Sequence, residues 1–163
     1  MNKRSLYLGL TYSILVIIYK LIILLGGYQL TRFGYFYSHP LSCLFVLPFM
    51  IIAIKLVRDK DNSGVIGGRD AVKVALGVFG ISIIVLSVYS YIEYEWKMRE
   101  ISMSNEYLEF LTRVYKIKPE LYPTVIKENS EMSAMKPVTA KLFSFFIISC
   151  FCAFITALFM KRR

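Results

Sequence analysis

Four apolar stretches of roughly twenty residues, at about 6–25, 41–57, 72–92 and 142–160, constrain this chain more than anything else in it. A helix needs about 20 apolar residues to cross a hydrocarbon core of about 30 Å. Inside that core each backbone N–H and C=O must be satisfied within the segment, which leaves only helices and closed barrels. Blocks this long and this continuous predict an all-α polytopic membrane protein with four transmembrane helices. Composition agrees: 56% of the 163 residues are hydrophobic and the mean hydropathy is +0.55, against an apolar share of roughly 45–50% in soluble domains.

The second block is the shortest, and Lys55 at its end can extend its ammonium outward along an apolar stem. Pro48 within it predicts a kink, because proline lacks the N–H and its ring meets the carbonyl four residues back. A signal-peptide reading of the first block is disfavoured, since Lys20 stands where a small-residue cleavage pattern would be needed.

Basic residues flank the blocks unevenly. Lys3 and Arg4 precede the first; Lys55, Arg58, Lys60, Arg69 and Lys73 surround the turn between the second and third; Lys161, Arg162 and Arg163 follow the fourth. The connection between the first two blocks carries only Arg32. The positive-inside rule then predicts a cytoplasmic N-terminus and C-terminus, with segment 93–140 extracytoplasmic. That segment has eight Lys and Arg, counting Lys141 at its edge, matched by eight Glu, so it carries little topological weight. The net charge of +9 sits beside apolar blocks, where it meets membrane lipid headgroups; no nucleic-acid module accompanies it.

The stretch DKDNSGVIGGRD, residues 59 to 70, has the look of a calcium loop, with Asp59, Asp61, Ser63 and Gly64 at suggestive spacing. A shorter Asp70 stands where a bidentate Glu is required, and a polar turn is needed between two spans in any case. The stretch reads as a cytoplasmic turn built on Arg58, Lys60, Gly64 and Arg69, with Asp70 capping the third span.

Segment 93–140 is far longer than the usual connection. Between about 104 and 116 it has helical rhythm, with Tyr107, Leu108, Leu111, Val114 and Tyr115 on one stripe. This predicts either packing on the outer ends of the spans or a partner interface. Residues 128–137 read as a mobile connector. Small residues that let membrane helices approach one another are Gly77, Gly80 and Ser87 in the third span, and Ser149, Ala153 and Ala157 in the fourth; they point to bundle contacts, with a homo-oligomer as the other reading.

Site chemistry is sparse. No ionisable group stands at a span centre, where transporters keep them. Lys20, Lys55 and Lys73 lie near span ends and are expected to reach outward; His39 is expected at the interface; Glu93 and Glu95 diverge on a helix. Cys43, Cys150 and Cys152 fall in apolar blocks as packing residues. Catalytic residues, cofactor sites and metal sites are therefore all expected to be absent.

The run from Ile52 to Leu76 and its flanking spans resemble an uncharacterised bacterial inner-membrane family, the domain-of-unknown-function family numbered forty-one ninety-nine. The shared pattern falls on Arg58, Lys60, Gly64, Ile66, Ala71 and Lys73, with Gly68 where a Phe is often seen. The resemblance implies four spans in a Gram-negative inner membrane and brings no activity with it. The functional expectation is a non-enzymatic accessory or scaffold protein binding a larger membrane or periplasmic partner. The alternative is a small oligomeric transporter or lipid-handling protein, for example one supporting lipid-linked glycan synthesis.

Overall fold

The structure is a computed structural model that describes residues 2–160; the basic flank 161–163 lies outside the described residues. It is almost wholly helical, without a strand among those residues. Helix α1 (Lys3–Leu25) starts at Asn2, whose side chain accepts from Arg4 N at 2.8 Å. It stops at Gly26 and Gly27, the latter at φ +72°, where glycine avoids a steric cost. Then come α2 (Phe33–Asp61), α3 (Gly68–Ser102) and, after two short helices, α6 (Met135–Met160). Among the described residues these four are the helices long and apolar enough to cross a membrane.

Three of the four run further than the apolar blocks do. α2 begins two turns before residue 41, α3 continues well past Ile92, and α6 starts at Met135. Hydropathy falls at these ends, but helical hydrogen bonding does not. The extension of α3 is laced by Glu95–Arg99 at 2.6 Å and Lys97–Glu100 at 2.9 Å, pairs that suit helical spacing.

The kink expected at Pro48 appears as an interruption of α2 at Phe45, between helical segments Ser38–Leu44 and Val46–Asp61. Pro48 cannot donate to Leu44, the residue four back, so the ladder opens just there. Pro40 has a parallel effect. The preceding turn, Phe33–Tyr37, is widened to π geometry, which relieves the clash with the Phe36 carbonyl.

The α1–α3 seam is closest at Gly9. A Cβ there would stand 2.7 Å from Val78 O and 3.0 Å from Ile81 Cβ. Serines on either side use the proximity: Ser5 Oγ donates to Val74 O at 3.1 Å, and Ser82 Oγ to Val78 O at 2.8 Å and Gly9 O at 3.2 Å. Of the small residues singled out, Ser149, Ala153 and Ala157 are buried in the core. Gly77, Gly80 and Ser87 are only partly buried, and a Cβ on Gly80 would meet nothing within 4 Å. The face of α3 that packs is instead Ala71, Ala75, Val78 and Ser82. Gly80 is two residues from Ser82, hence roughly 200° away around the helix.

The turn joining α2 to α3 places Ser63 at φ 51° and Gly64 at φ 89°, with Gly64 N donating to Arg58 O at 2.8 Å. α3 starts one turn earlier than expected, at Gly68 with Gly67 as N-cap. Asp70 therefore lies in the first turn rather than at the cap, where its charge still favours the helix N-terminus. Asp61 pairs with Arg4 at 2.6 Å, tying the end of α2 to the start of α1.

At the opposite end of the bundle, α4 (Asn105–Tyr115) and α5 (Tyr122–Glu131) form a cover. Ser104 caps α4 by accepting from Tyr107 N at 3.2 Å, and Lys116, at φ 58°, ends it. The mobile connector expected at 128–137 is mostly helix: α5 runs to Glu131 and α6 resumes at Met135. Pro near the first turn of α5 starts that helix, and Asn129 Nδ2 donates to Ser102 O at 2.7 Å, anchoring it to α3.

Candidate functional site

The end of the bundle under α4 and α5 holds a polar cleft that takes one charged or titratable side chain from each membrane helix: Lys20 of α1, His39 of α2, Glu93 of α3 and Lys141 of α6. Sequence separation hides the set, because it spans more than a hundred residues and no two members share a helix. The four-helix packing brings it together.

Glu93 is its most buried charge, 6% exposed. One carboxylate oxygen accepts from Lys141 Nζ at 3.2 Å and the other from Tyr89 OH at 3.2 Å. A buried carboxylate is tolerated only with such partners. Lys20, expected to extend outward, turns inward and donates to Ser38 Oγ at 3.3 Å, while Ser38 donates to Gly34 O at 2.6 Å. His39, expected at the interface, lines the cleft wall with its ring 3.8 Å from Cys43 Sγ. Glu95, two residues from Glu93, points outward to Arg99. The floor is set by Tyr12, which is fully buried and donates to Ser42 O at 2.7 Å.

Two adjoining cavities make up the cleft, of about 30 Å³ and about 180 Å³, and both are bordered by Lys20, His39, Glu93 and Lys141. The larger also has Gln29, whose Oε1 is buried without a partner. Its volume admits a group the size of a phosphate or carboxylate with water. Two ammonium groups face one carboxylate, and among the described residues no other Asp or Glu borders either cavity. An excess of one positive charge in a low-dielectric setting attracts an anion strongly. Cys43 is buried and borders neither cavity, so the His39–Cys43 contact is not exposed to a ligand there.

Widened π turns lie on both sides of the cleft, at Phe33–Tyr37 just before Ser38 and at Tyr94–Met98 just after Glu93. Such turns shift the register of a helix and are frequent at functional sites. Pro40 marks the first in the sequence; nothing comparable marks the second.

The stripe on α4 lies above this site. Leu108 and Leu111 are buried, Tyr107 and Val114 are half-buried, and Tyr115 is exposed. Burial pushes the Tyr107 phenol above its ordinary pKa. Aromatic rings of α2 pack against α4: Tyr35 lies 5.0 Å from Phe110, beside the stripe, and 6.2 Å from Tyr115 on it, and Phe36 lies 6.1 Å from Tyr115. The turn residues Arg58, Lys60, Gly64 and Arg69 lie at the other end of the bundle. There Arg58 pairs with Asp59 at 2.6 Å and Lys73 with Asp70 at 3.4 Å, so the carboxylates of the calcium-like stretch face basic groups.

No curated protein and no solved structure matches the chain. The family described as protein of unknown function, DUF4199, matches it over residues 3–162, nearly its whole length, and takes in all four helices of the cleft. The chain belongs to that family.

Proposed function

We propose that this protein binds an anionic group borne by the membrane, holding it in the cleft between Lys20 and Lys141, and that it handles lipid rather than turning over a substrate. The observation that carries this reading is the convergence of Lys20, His39, Glu93 and Lys141 from four different helices on shared cavities. Ionisable groups inside membrane helices are costly and mark ligand or ion paths. The scaffold role expected from the sequence rested on absent site chemistry beside the overlong segment 93–140. The cleft supplies site chemistry, and Tyr35 and Phe36 of α2 pack against Tyr115 at one end of the stripe, which supports the lipid-handling reading.

Orientation follows from charge. Lys3, Arg4 and the basic 58–73 turn stand at the end away from the cleft, and the positive-inside rule supports placing that end in the cytoplasm. The cleft, α4 and α5 then face the extracytoplasmic side of a bacterial inner membrane. An impermeant thiol reagent labelling Glu109→Cys in intact spheroplasts, and leaving Ser63→Cys unlabelled, is the expected result; the reverse pattern would invert the orientation.

The binding test uses the purified protein in a neutral amphipol, titrated with inorganic phosphate and followed by Trp96 fluorescence. A saturable change is expected. The Lys20→Gln, Lys141→Gln double variant is expected to bind roughly 100–10,000-fold more weakly, each of the two charge-assisted hydrogen bonds lost being worth about 1.5–3 kcal/mol. Equal binding by the double variant would sink the proposal.

A further inference from the structure

We infer that the ligand of the cleft carries a hydrocarbon chain, and that this chain lies in the groove between α2 and α6 just below it; the inference rests on the proposed anion site and identifies its ligand as an anionic lipid. The groove has wholly apolar walls and a volume of about 450 Å³, with Pro40, Leu44 and Leu47 on one side and Ile148, Phe151 and Ile155 on the other.

Continuity with the cleft is what points to a single occupant. On α6, Lys141, Phe145, Ile148, Cys152 and Ile155 follow one another at intervals of three and four, and so form one stripe. The upper two border the cleft, and the lower three border the groove. On α2, Pro40 directly follows His39, so the groove's rim adjoins the cleft wall. From Lys141 to Ile155 the helix rises about 21 Å, enough to take a chain through one leaflet of a core about 30 Å thick. The two halves differ in chemistry as the two ends of a lipid do: charged above, apolar below.

The α2 side is shaped by the interruption at Phe45. Pro40 and Pro48 bracket it, and each removes a helical N–H donor on that side. Pro40 and Leu44, on the N-terminal side of the interruption, and Leu47, just after it, form the α2 wall of the groove.

The test compares three probes with the protein in a neutral amphipol: inorganic phosphate, dioctanoyl phosphatidic acid and dioctanoyl phosphatidylcholine. Phosphatidic acid is expected to bind at least tenfold more tightly than inorganic phosphate, and the zwitterionic lipid more weakly than phosphatidic acid. Ile148→Trp, which fills the groove, is expected to reduce phosphatidic acid binding about tenfold and leave phosphate binding unchanged. If Ile148→Trp loses phosphate binding too, Leu44→Trp on the opposite wall decides by the same criterion. Phosphatidic acid binding no tighter than phosphate would overturn the inference while leaving the anion site standing; failure of both phosphate and phosphatidic acid to bind would remove the anion site itself. Native mass spectrometry reads the remaining occupant: a dimer that Ile148→Trp dissociates, with phosphatidic acid affinity unchanged, would mean that a second copy covers the groove.

Discussion

Glu93→Gln separates two contributions of the same carboxylate, to stability and to ligand exclusion. In the unliganded cleft Glu93 pairs with Lys141 at 3.2 Å. Two unit charges at that distance attract by about 5 kcal/mol at an effective dielectric of about 20. The Lys141 side chain is 33% exposed and that of Glu93 only 7%, so solvent screening on the lysine side cuts the contribution well below that figure. Glutamine also keeps an acceptor for Tyr89. The expected net loss is about 2 kcal/mol, corresponding to a melting temperature lower by about 4–8 °C for a chain of this size. The ligand effect has the opposite sign. Two lysines less one glutamate give the cleft a formal charge of +1; replacing the carboxylate by a neutral amide raises it to +2 and removes the internal competitor for Lys141. Phosphate should bind about tenfold more tightly, a change of about 1.4 kcal/mol. Trp96, the single tryptophan and three residues along α3, reports both thermal unfolding and the phosphate titration. A variant that melts lower and binds phosphate more tightly fits the reasoning. One that binds phosphate more weakly refutes it, because Glu93 would then order the site instead of competing for it.

Other substitutions probe the frame around the cleft. Gly9→Val should destabilise the protein by about 1–3 kcal/mol, since a Cβ there presses on the Val78 carbonyl at 2.7 Å; Gly80→Val, where a Cβ meets nothing within 4 Å, should change melting far less. Tyr12→Phe removes the donor to Ser42 O at 2.7 Å in the core, and should cost about 1–3 kcal/mol as the carbonyl loses its partner, measured by the same melt. Gly64→Val forces a β-branched residue to φ 89° and should lower stability by about 1 kcal/mol or more; equal melting of variant and parent would show that the turn relaxes freely.

The sequence by itself determined the four membrane helices and their order. Blocks of span length leave the backbone no other way to satisfy its hydrogen bonds in hydrocarbon, and that constraint is local. Local signals also marked the polar turn at Gly64, the amphipathic rhythm of α4 and the proline-disturbed α2. Hydropathy underestimated the lengths of α2, α3 and α6, because helices continue through polar residues that it counts as ends. Small residues fared unevenly: Ser149, Ala153 and Ala157 pack, whereas Gly80 faces open space and the closest approach falls at Gly9. The spacing of Ser5, Gly9 and Ser13 at intervals of four was available as a signal, but which face of each helix turns inward depends on its neighbours.

Only the tertiary structure decided the site. Lys20, His39, Glu93 and Lys141 each look like an isolated polar residue near the end of a span. Their meaning depends on how four helices are rotated about their axes and displaced along them, and a one-dimensional pattern does not encode either quantity. Packing turns Lys20 inward to Ser38 and sets Glu93 against Lys141. Four residues that stand apart in the sequence thus share one cleft.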